Sequence, residues 1–218
     1  MSLFRLDASI RTEGSASRAL ADIVEKHWRE ASSAAPISRR HLVTDPIPSD
    51  AWHTAVTSWH IPEADRTAAQ QAAVGLASSL ADELADADAY LFAVPLYNFG
   101  VSQHFKTYVD LVSTDPRMAD AEPATAGKPG VLVTVQGGNY SPGTPKEGWD
   151  HATSWMRRIL EDVWHIDLDV VTREFTLVGE NPALDEFADM AADIRAGAES
   201  KAHESGQIFA QRSQPASA

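Results

Sequence analysis

The stretch AYLFAVPLYNFG, residues 89–100, runs from an unbroken apolar segment into a proline, two aromatic residues, an asparagine and a glycine. Residues 89–94 are apolar at every position, which is typical of a strand buried on both faces in a parallel sheet. An ordinary turn after such a strand requires glycine, asparagine or aspartate, but not two aromatic side chains. The composition of PLYNFG, residues 95–100, therefore indicates more than a change of chain direction.

The sequence on both sides of this stretch alternates short apolar runs with amphipathic segments. It predicts strands over residues 3–8, 37–43, 89–94, 131–135 and 168–178, and helices over residues 17–31, 68–86, 102–113, 148–164 and 183–210. Five strands alternating with five helices predict an α/β fold with a parallel sheet that has helices on both faces. We expect a single domain over residues 1–212 and a disordered tail over residues 213–218.

The composition narrows the class of protein. The 218 residues carry a formal net charge of −13, which argues against a general nucleic-acid-binding protein, because such proteins present basic patches to phosphates. The chain has no cysteine, and its eight histidines lack the spacing of a metal site. No segment resembles a transmembrane helix or a signal peptide. We therefore expect a cytoplasmic protein that binds neither membrane nor nucleic acid and holds no metal.

In folds of this kind a ligand binds beyond the carboxyl ends of the strands, which here means the loops after residues 8, 94 and 135. The first loop carries Ser9, Ser15 and Ser17 close to the start of the first helix, where free N–H groups and a partial positive charge favour phosphate. The alternative is a structural role, with Ser15 or Ser17 as an N-cap. This loop alone favours the structural role, since it contains neither a Walker motif nor a G-x-G-x-x-G motif.

The second and third loops add features that suit a flat ligand. The second is PLYNFG, and the third is QGGNYSPG, residues 136–143, in which two adjacent glycines let the backbone approach a flat ligand closely. Tyr140 belongs to the same loop. Three such loops at one edge of a sheet favour a site for a ligand with a phosphate at one end and a flat ring at the other.

Together, PLYNF after the third strand, the S-x5-S-x-S loop after the first and GG-x-Y-S-x-G after the fourth resemble the FMN-dependent NAD(P)H azoreductases and quinone reductases of the flavodoxin-like superfamily. The resemblance implies a flavodoxin-like three-layer α/β sandwich with strand order 2-1-3-4-5. It also implies a homodimer with FMN at its interface. Such a dimer would oxidise NADH or NADPH and reduce a quinone or an azo compound in two-electron, ping-pong steps.

The resemblance also implies roles for individual residues. Tyr140 and Asn98 are the catalytic candidates, Tyr140 as a proton source beside solvent and Asn98 as a hydrogen-bond partner of the flavin edge. The FMN-binding candidates lie in the three loops: Ser9, Ser15, Ala16, Ser17, Pro95, Leu96, Tyr97, Asn98, Phe99, Gln136, Gly137, Gly138 and Tyr140. The flavin itself carries the hydride, so the protein supplies position and electrostatics.

The chain departs from that family at the third loop. Val135 and Gln136 stand where the family often has Ser-Arg, so a hydroxyl and a charge that tune the flavin are missing. Two alternatives therefore stay open: a flavodoxin-like carrier that passes electrons between partners without its own turnover, and a non-redox dimeric scaffold. NAD(P)H consumption with a quinone separates enzyme from carrier, and flavin binding separates both from scaffold.

A second departure concerns the wall of the substrate pocket. In the family an aromatic, glycine-rich hairpin helps to shape that pocket, whereas residues 113–126 of this chain are shorter, acidic and without aromatic residues. We hypothesise that the loop at residues 46–66, with Trp52, Trp59 and His60, supplies the missing wall.

Overall fold

The middle of the sheet consists of strands whose side chains are removed from water. In the computed structural model, β1 (Leu3–Asp7) and β3 (Ala89–Ala93) are buried at every position, and β6 (Pro129–Val135) is buried at every position after its first. The edge strands β2 (Ile37–His41) and β7 (Asp167–Arg173) keep exposed residues. All pairings in this sheet are parallel, and its order is β2-β1-β3-β6-β7. The labels β4 and β5 belong to a separate hairpin, so β6 and β7 are the fourth and fifth strands of this sheet, and the order confirms the predicted flavodoxin-like order 2-1-3-4-5.

Helices cover both faces of this sheet and complete the three-layer sandwich. On one face lie α1 (Ala16–Ala31) and α7 (Ala188–Arg212), which share a core with one side of the strands. On the other face lie α3 (Ala68–Ala85), α4 (Gln103–Val112) and α6 (Thr153–Arg157). Strands β1, β3, β6 and β7 contribute to both cores, because successive residues of a strand point to opposite faces.

The helix predicted over residues 148–164 begins later than expected. It starts at Thr153 because Asp150 Oδ1 accepts the backbone N–H groups of Ala152 and Thr153, both at 2.9 Å, and so caps the first turn. Its second half, Arg158–Val163, is π-helical. The residues before Thr153 are consequently free to form a loop beside the ends of the strands.

The last strand also ends earlier than predicted. The prediction extended it over residues 168–178, but β7 stops at Arg173, and Phe175 adopts the left-handed region with φ of 57°. A 3-10 turn, Pro182–Phe187, then precedes α7, which continues to Arg212. Residues 174–180 therefore form a loop at the carboxyl edge rather than the end of a strand.

Further short elements lie in segments that the sequence predicts as loops. They are α2 (Ala51–Ser58), the 3-10 turn Glu63–Asp65, β4 (Leu96–Tyr97), β5 (Gly100–Val101) and α5 (Pro116–Ala119). Each is too short to show a clear hydrophobic period in the sequence.

The structure describes residues 1–213, and residues 214–218, most of the predicted tail, lie outside the described part. Ser213 ends α7 by donating its N–H to the carbonyl oxygen of Phe209 at 3.0 Å. Among residues 1–213, no helix has both the length and the apolar character needed to cross a lipid bilayer.

Close packing of α7 on α1 depends on a glycine. A methyl group on the Cα of Gly206 would lie 2.9 Å from Cδ2 of His27 and 3.1 Å from Cα of Val24. The second of these atoms belongs to the backbone, so it cannot rotate away. Gly197 of the same helix has no such neighbour within 4 Å.

We expect Gly206→Ala to lower the free energy of unfolding by about 1–3 kcal/mol, because α7 must move away from α1 to make room for the methyl group. The matched variant Gly197→Ala should raise that free energy by up to about 1 kcal/mol, since alanine favours helix more than glycine does. Urea unfolding followed by far-ultraviolet circular dichroism measures both. Equal effects of the two substitutions would contradict the close approach of the helices.

Candidate active site

A cleft of about 990 Å³ opens at the carboxyl ends of β1, β3 and β6. It brings together the three loops that the sequence singled out. The predicted ligand-binding residues that line it are Ser9, Ser15, Ala16, Pro95, Leu96, Tyr97, Asn98, Phe99, Gly137, Gly138 and Tyr140. Ser17 and Gln136, which belong to the same prediction, lie behind this lining.

Ser15 occupies both of the positions that the sequence left open. It is the N-cap of α1, where its Oγ accepts the N–H of Arg18 at 3.4 Å, and it also lines the cleft. Ser17 is fully buried, with its Oγ 3.1 Å from Ser15 Oγ, so it holds Ser15 rather than facing the cleft. Ala16 lines the cleft, so the first turn of α1, whose N–H groups lack partners within a helix, opens onto it.

The PLYNFG segment forms a tight hairpin. β4 pairs antiparallel with β5, and Asn98 and Phe99 form the two-residue turn with φ of 48° and 65°. Positive φ at both central residues is the mark of a type I′ turn, which matches the twist of a hairpin. Asparagine tolerates this region, but phenylalanine seldom adopts it, so the backbone at Phe99 is strained. The side chain of Phe99 is exposed and lines the cleft.

Tyr97 ties the hairpin to the first loop. Its hydroxyl oxygen accepts the backbone N–H of Ile10 at 3.0 Å and lies 3.5 Å from Oγ of Ser9. The ring of Tyr97 thus bridges the loops that follow β1 and β3. This hydroxyl therefore links the first loop to the hairpin.

An aromatic wall with a cation beside it lies on the other side of the hairpin. The ring of Phe99 meets Trp149 edge-on at 5.3 Å and Tyr140 at 6.4 Å, measured between ring centroids. Lys146 Nζ lies 5.9 Å from the centroid of Phe99 and 5.8 Å from that of Tyr140, which is within the range of cation–π attraction. Within residues 1–213 this ammonium group makes no ion pair.

The tryptophans of residues 46–66 are not part of this wall. Trp52 lies on α2 and Trp59 directly after it, and they are 46% and 44% exposed. Neither they nor His60 line the cleft. The hypothesised wall from residues 46–66 is therefore missing from the cleft of a single chain, because α2 packs away from it on α3 and α4.

Glu174, which the sequence analysis missed, holds the third loop. Its carboxylate accepts the N–H of Tyr140 at 2.5 Å and the hydroxyl of Ser141 at 2.6 Å. Gly137 is also set by its surroundings, because a methyl group there would lie 2.7 Å from Cδ1 of Leu177. Gly137 is therefore needed to accommodate the side chain of Leu177, whether or not a ligand is bound. No sequence pattern marked Glu174, because the strand predicted over residues 168–178 included it.

Tyr140 keeps its proton in this environment. Burial raises the pKa of its hydroxyl, and the nearby carboxylates of Asp150 and Glu174 raise it further. Asp150 is itself held by Gln136, whose amide Nε2 donates to it at 2.6 Å. The side chain of Gln136 thus acts on the loop before α6 instead of facing the cleft.

The cleft is basic, although the chain as a whole is acidic. Its basic residues are Arg11, Arg18, Lys146, Arg173 and Arg195, and its acidic residues are Glu13, Asp22 and Glu180. Such a cleft attracts an anion in a protein of net charge −13. The sequence analysis missed Arg173 because it extended the last strand past its true end, and it missed Arg195 because no sequence pattern brings that position of the last helix to the cleft.

We expect Tyr97→Phe to speed hydrogen exchange at the Ile10 amide by about fivefold, since a lost hydrogen bond of this kind is worth about 1 kcal/mol. Amide exchange followed by NMR measures the effect without any ligand. The matched variant Tyr108→Phe removes a buried hydroxyl that has no partner among the described residues, and it should leave Ile10 unchanged. Unchanged exchange in Tyr97→Phe would mean that this hydroxyl does not couple the two loops.

Comparisons with known proteins agree with this architecture. The family model Flavodoxin_2, described as a flavodoxin-like fold, matches residues 1–197. A relative from Frankia casuarinae, described as an FMN-dependent NADH:quinone oxidoreductase, is 39% identical over 191 residues, which cover 86% of this chain and 90% of the relative. A relative from Frankia alni with the same description is 39% identical over 201 residues, which cover 91% of this chain and 95% of that relative.

Solved structures show the same fold. An azoreductase from Bacillus anthracis superposes on 96% of this chain and 100% of its own with a TM-score of 0.78, at 20% sequence identity. At that identity the likeness concerns the fold alone. The family model and the two relatives go further, and together they show that this chain belongs to the Flavodoxin_2 family of flavodoxin-like proteins.

Proposed function

We propose that this chain is an FMN-dependent NAD(P)H:quinone or azo-compound oxidoreductase. The observation that carries the proposal is a single cleft that joins a serine-capped helix N-terminus to an aromatic hairpin. Such a cleft suits a ligand with a phosphate at one end and a flat ring at the other. Relatives at 39% identity described as FMN-dependent NADH:quinone oxidoreductases support this choice. NADH or NADPH is the donor, and a quinone or an azo compound is the acceptor.

The residues of the cleft fit FMN. Its volume of about 990 Å³ is at the upper end of the usual range for ligand pockets, which leaves space for a second substrate. At one end, the first turn of α1 with Ser9 and Ser15 offers N–H and hydroxyl groups to a phosphate. At the other end, Phe99 and Tyr140 offer flat apolar surface to a ring.

When bound in this cleft, FMN would supply two-electron hydride chemistry between NAD(P)H and the acceptor. The chain contributes position and shielding. Asn98 presents both a donor and an acceptor to the polar edge of a ring, and Phe99 and Tyr140 exclude water from its face. Lys146 adds positive charge beside this wall, which favours the uptake of electrons.

Tyr140 holds the proton that the reduced acceptor needs. Its raised pKa keeps the hydroxyl protonated at neutral pH. Ser17 and Gln136 act indirectly, Ser17 through Ser15 and Gln136 through Asp150. Their predicted role in binding FMN is thus one of support.

The mouth of the cleft has the character of an interface. Exposed apolar side chains lie around it, namely those of Ile10, Phe99, Trp149 and Leu177. Exposed apolar patches of this kind mark interaction surfaces. We infer a homodimer in which these residues meet the partner about a two-fold axis, with donor and acceptor bound in turn in a ping-pong cycle. Residues 1–212 form one domain, and the enzyme acts in the cytoplasm.

The purified chain mixed with FMN should show a visible flavin spectrum. Anaerobic NADH should bleach it, and a quinone should restore it. Initial rates at varied NADH and quinone should give parallel double-reciprocal lines, as a ping-pong cycle requires. Sedimentation velocity should give the mass of a dimer.

Other results separate the alternatives. A flavin that binds but is reduced by neither NADH nor NADPH would indicate an electron carrier. A protein that binds no FMN would overturn the flavoenzyme and favour the scaffold. A monomer at all concentrations would contradict the dimer, and intersecting double-reciprocal lines would contradict the ping-pong cycle.

We expect Tyr140→Phe to slow reoxidation by quinone by about 100-fold and to leave reduction by NADH unchanged, because only the reoxidation by quinone needs a proton donor. Stopped-flow absorbance separates the two half-reactions. In the unchanged protein, the pKa of the Tyr140 hydroxyl is raised above its ordinary value of 10.0. The hydroxyl therefore keeps its proton at every pH below 10 and loses it only as the pH rises through the raised pKa. Reoxidation should thus be flat between about pH 6 and pH 9.

The control for this experiment is Tyr108→Phe, which removes a buried hydroxyl outside the cleft. It should leave both half-reactions unchanged. Reoxidation of Tyr140→Phe at the rate of the unchanged protein would mean that solvent supplies the proton.

A further inference from the structure

Arg173 ends β7 at the same edge of the sheet as the cleft. In the register of the strands it pairs with Val135, and Val171, two residues earlier, is buried in the core shared with α1 and α7. Alternate residues of a strand face the same side, so Arg173 projects toward α1 and α7. It lines the cleft together with Ser15 and Ala16.

Within the described part of the chain, Arg173 makes no ion pair. Its Nε is buried and has no hydrogen-bond partner among residues 1–213. Burial and the nearby charge of Arg195 both lower the pKa of its guanidinium. Glu199 opposes this shift, but its carboxylate is bound to Nε of Arg195 at 2.7 Å. A partly buried charge in this state is costly, and an anion in the cleft would stabilise it.

The acidic residues of the cleft do not neutralise this charge. Asp22 accepts a hydrogen bond from the buried Arg5 at 2.6 Å, and Glu180 is paired with Arg11 at 2.8 Å. Glu13 is exposed on the first loop. The region around Arg173 thus keeps an excess of positive charge.

We propose that Arg173, with the exposed Arg195 as its outer partner, binds the phosphate group of the flavin and forms an anion subsite in the cleft. This subsite rests on the proposed function. Val135, the neighbour of Arg173 across the strands, offers no hydrogen-bonding side chain, whereas the guanidinium of Arg173 does. A guanidinium binds phosphate through two parallel N–H···O bonds, and it keeps its charge at every physiological pH.

The decisive experiment compares two flavins that differ only in the phosphate. Dissociation constants of FMN and riboflavin are measured by flavin fluorescence for the unchanged protein, Arg173→Met and Arg195→Met. Arg173→Met should raise the dissociation constant of FMN at least about tenfold, as expected for losing hydrogen bonds to a charged group. It should leave the dissociation constant of riboflavin unchanged. Arg195→Met should have a smaller effect in the same direction, since its side chain is 61% exposed.

Arg212→Met is the matched control. Arg212 also joins α7 to β7, through Asp167 at 3.1 Å, but at the opposite end of the strand. It should change neither constant. Arg173→Lys, which keeps the charge and loses the paired donors, should bind FMN with intermediate strength.

Two results would overturn the subsite. Unchanged FMN affinity in Arg173→Met would mean that the serine loop alone binds the phosphate. Equal weakening of FMN and riboflavin would mean that Arg173 acts on the ring or on the fold.

Inorganic phosphate tests the subsite without flavin. It should raise the melting temperature of the unchanged flavin-free protein and of Arg212→Met, but not that of Arg173→Met. If the unchanged protein binds neither flavin, the proposed function fails, and this phosphate-dependent shift still decides whether the anion subsite exists. The same shift in all three proteins would overturn it.

Discussion

Burial of β3 on both faces is the constraint from which the rest of the structure follows. A strand with no side chain in water needs a helical layer on each side, and parallel neighbours need a crossover between every pair of strands. Each crossover starts at the same edge of the sheet. The first loop with Ser9 and Ser15, the PLYNFG hairpin and the third loop, residues 136–143, all follow buried parallel strands. They therefore meet at this edge, and together they form the cleft.

The strained turn at Asn98 and Phe99 persists because its surroundings hold it from two sides. The hydroxyl of Tyr97 binds the first loop, and the N–H of His151 donates to the carbonyl of Phe99 at 3.0 Å. Trp149 meets the ring of Phe99 at 5.3 Å. Backbone strain that is fixed in this way is typical of functional sites, since the geometry is prepared before the ligand arrives.

The sequence predicted those parts of the site that a pattern can express. Six consecutive apolar residues identified β3, and loop position identified Tyr97 and Phe99. A pattern does not say which way a loop side chain points, and Ser17 and Gln136, which were predicted to bind the ligand, do not line the cleft. Two further omissions come from the end of β7, because hydrophobic alternation does not mark where an edge strand ends. Arg173 is the last residue of β7 and Glu174 follows it, and both fell inside the strand predicted over residues 168–178.

The acidic surface and the basic cleft act over different distances. At physiological ionic strength the Debye length is about 8 Å, so the field of the net charge of −13 is largely screened before it reaches an approaching anion. Inside the cleft, burial removes that screening, and the attraction of a few cations outweighs the distant repulsion. Selectivity for an anionic ligand can therefore arise in an acidic protein, provided that its cations are partly buried and left without carboxylate partners, as Arg173 is among residues 1–213.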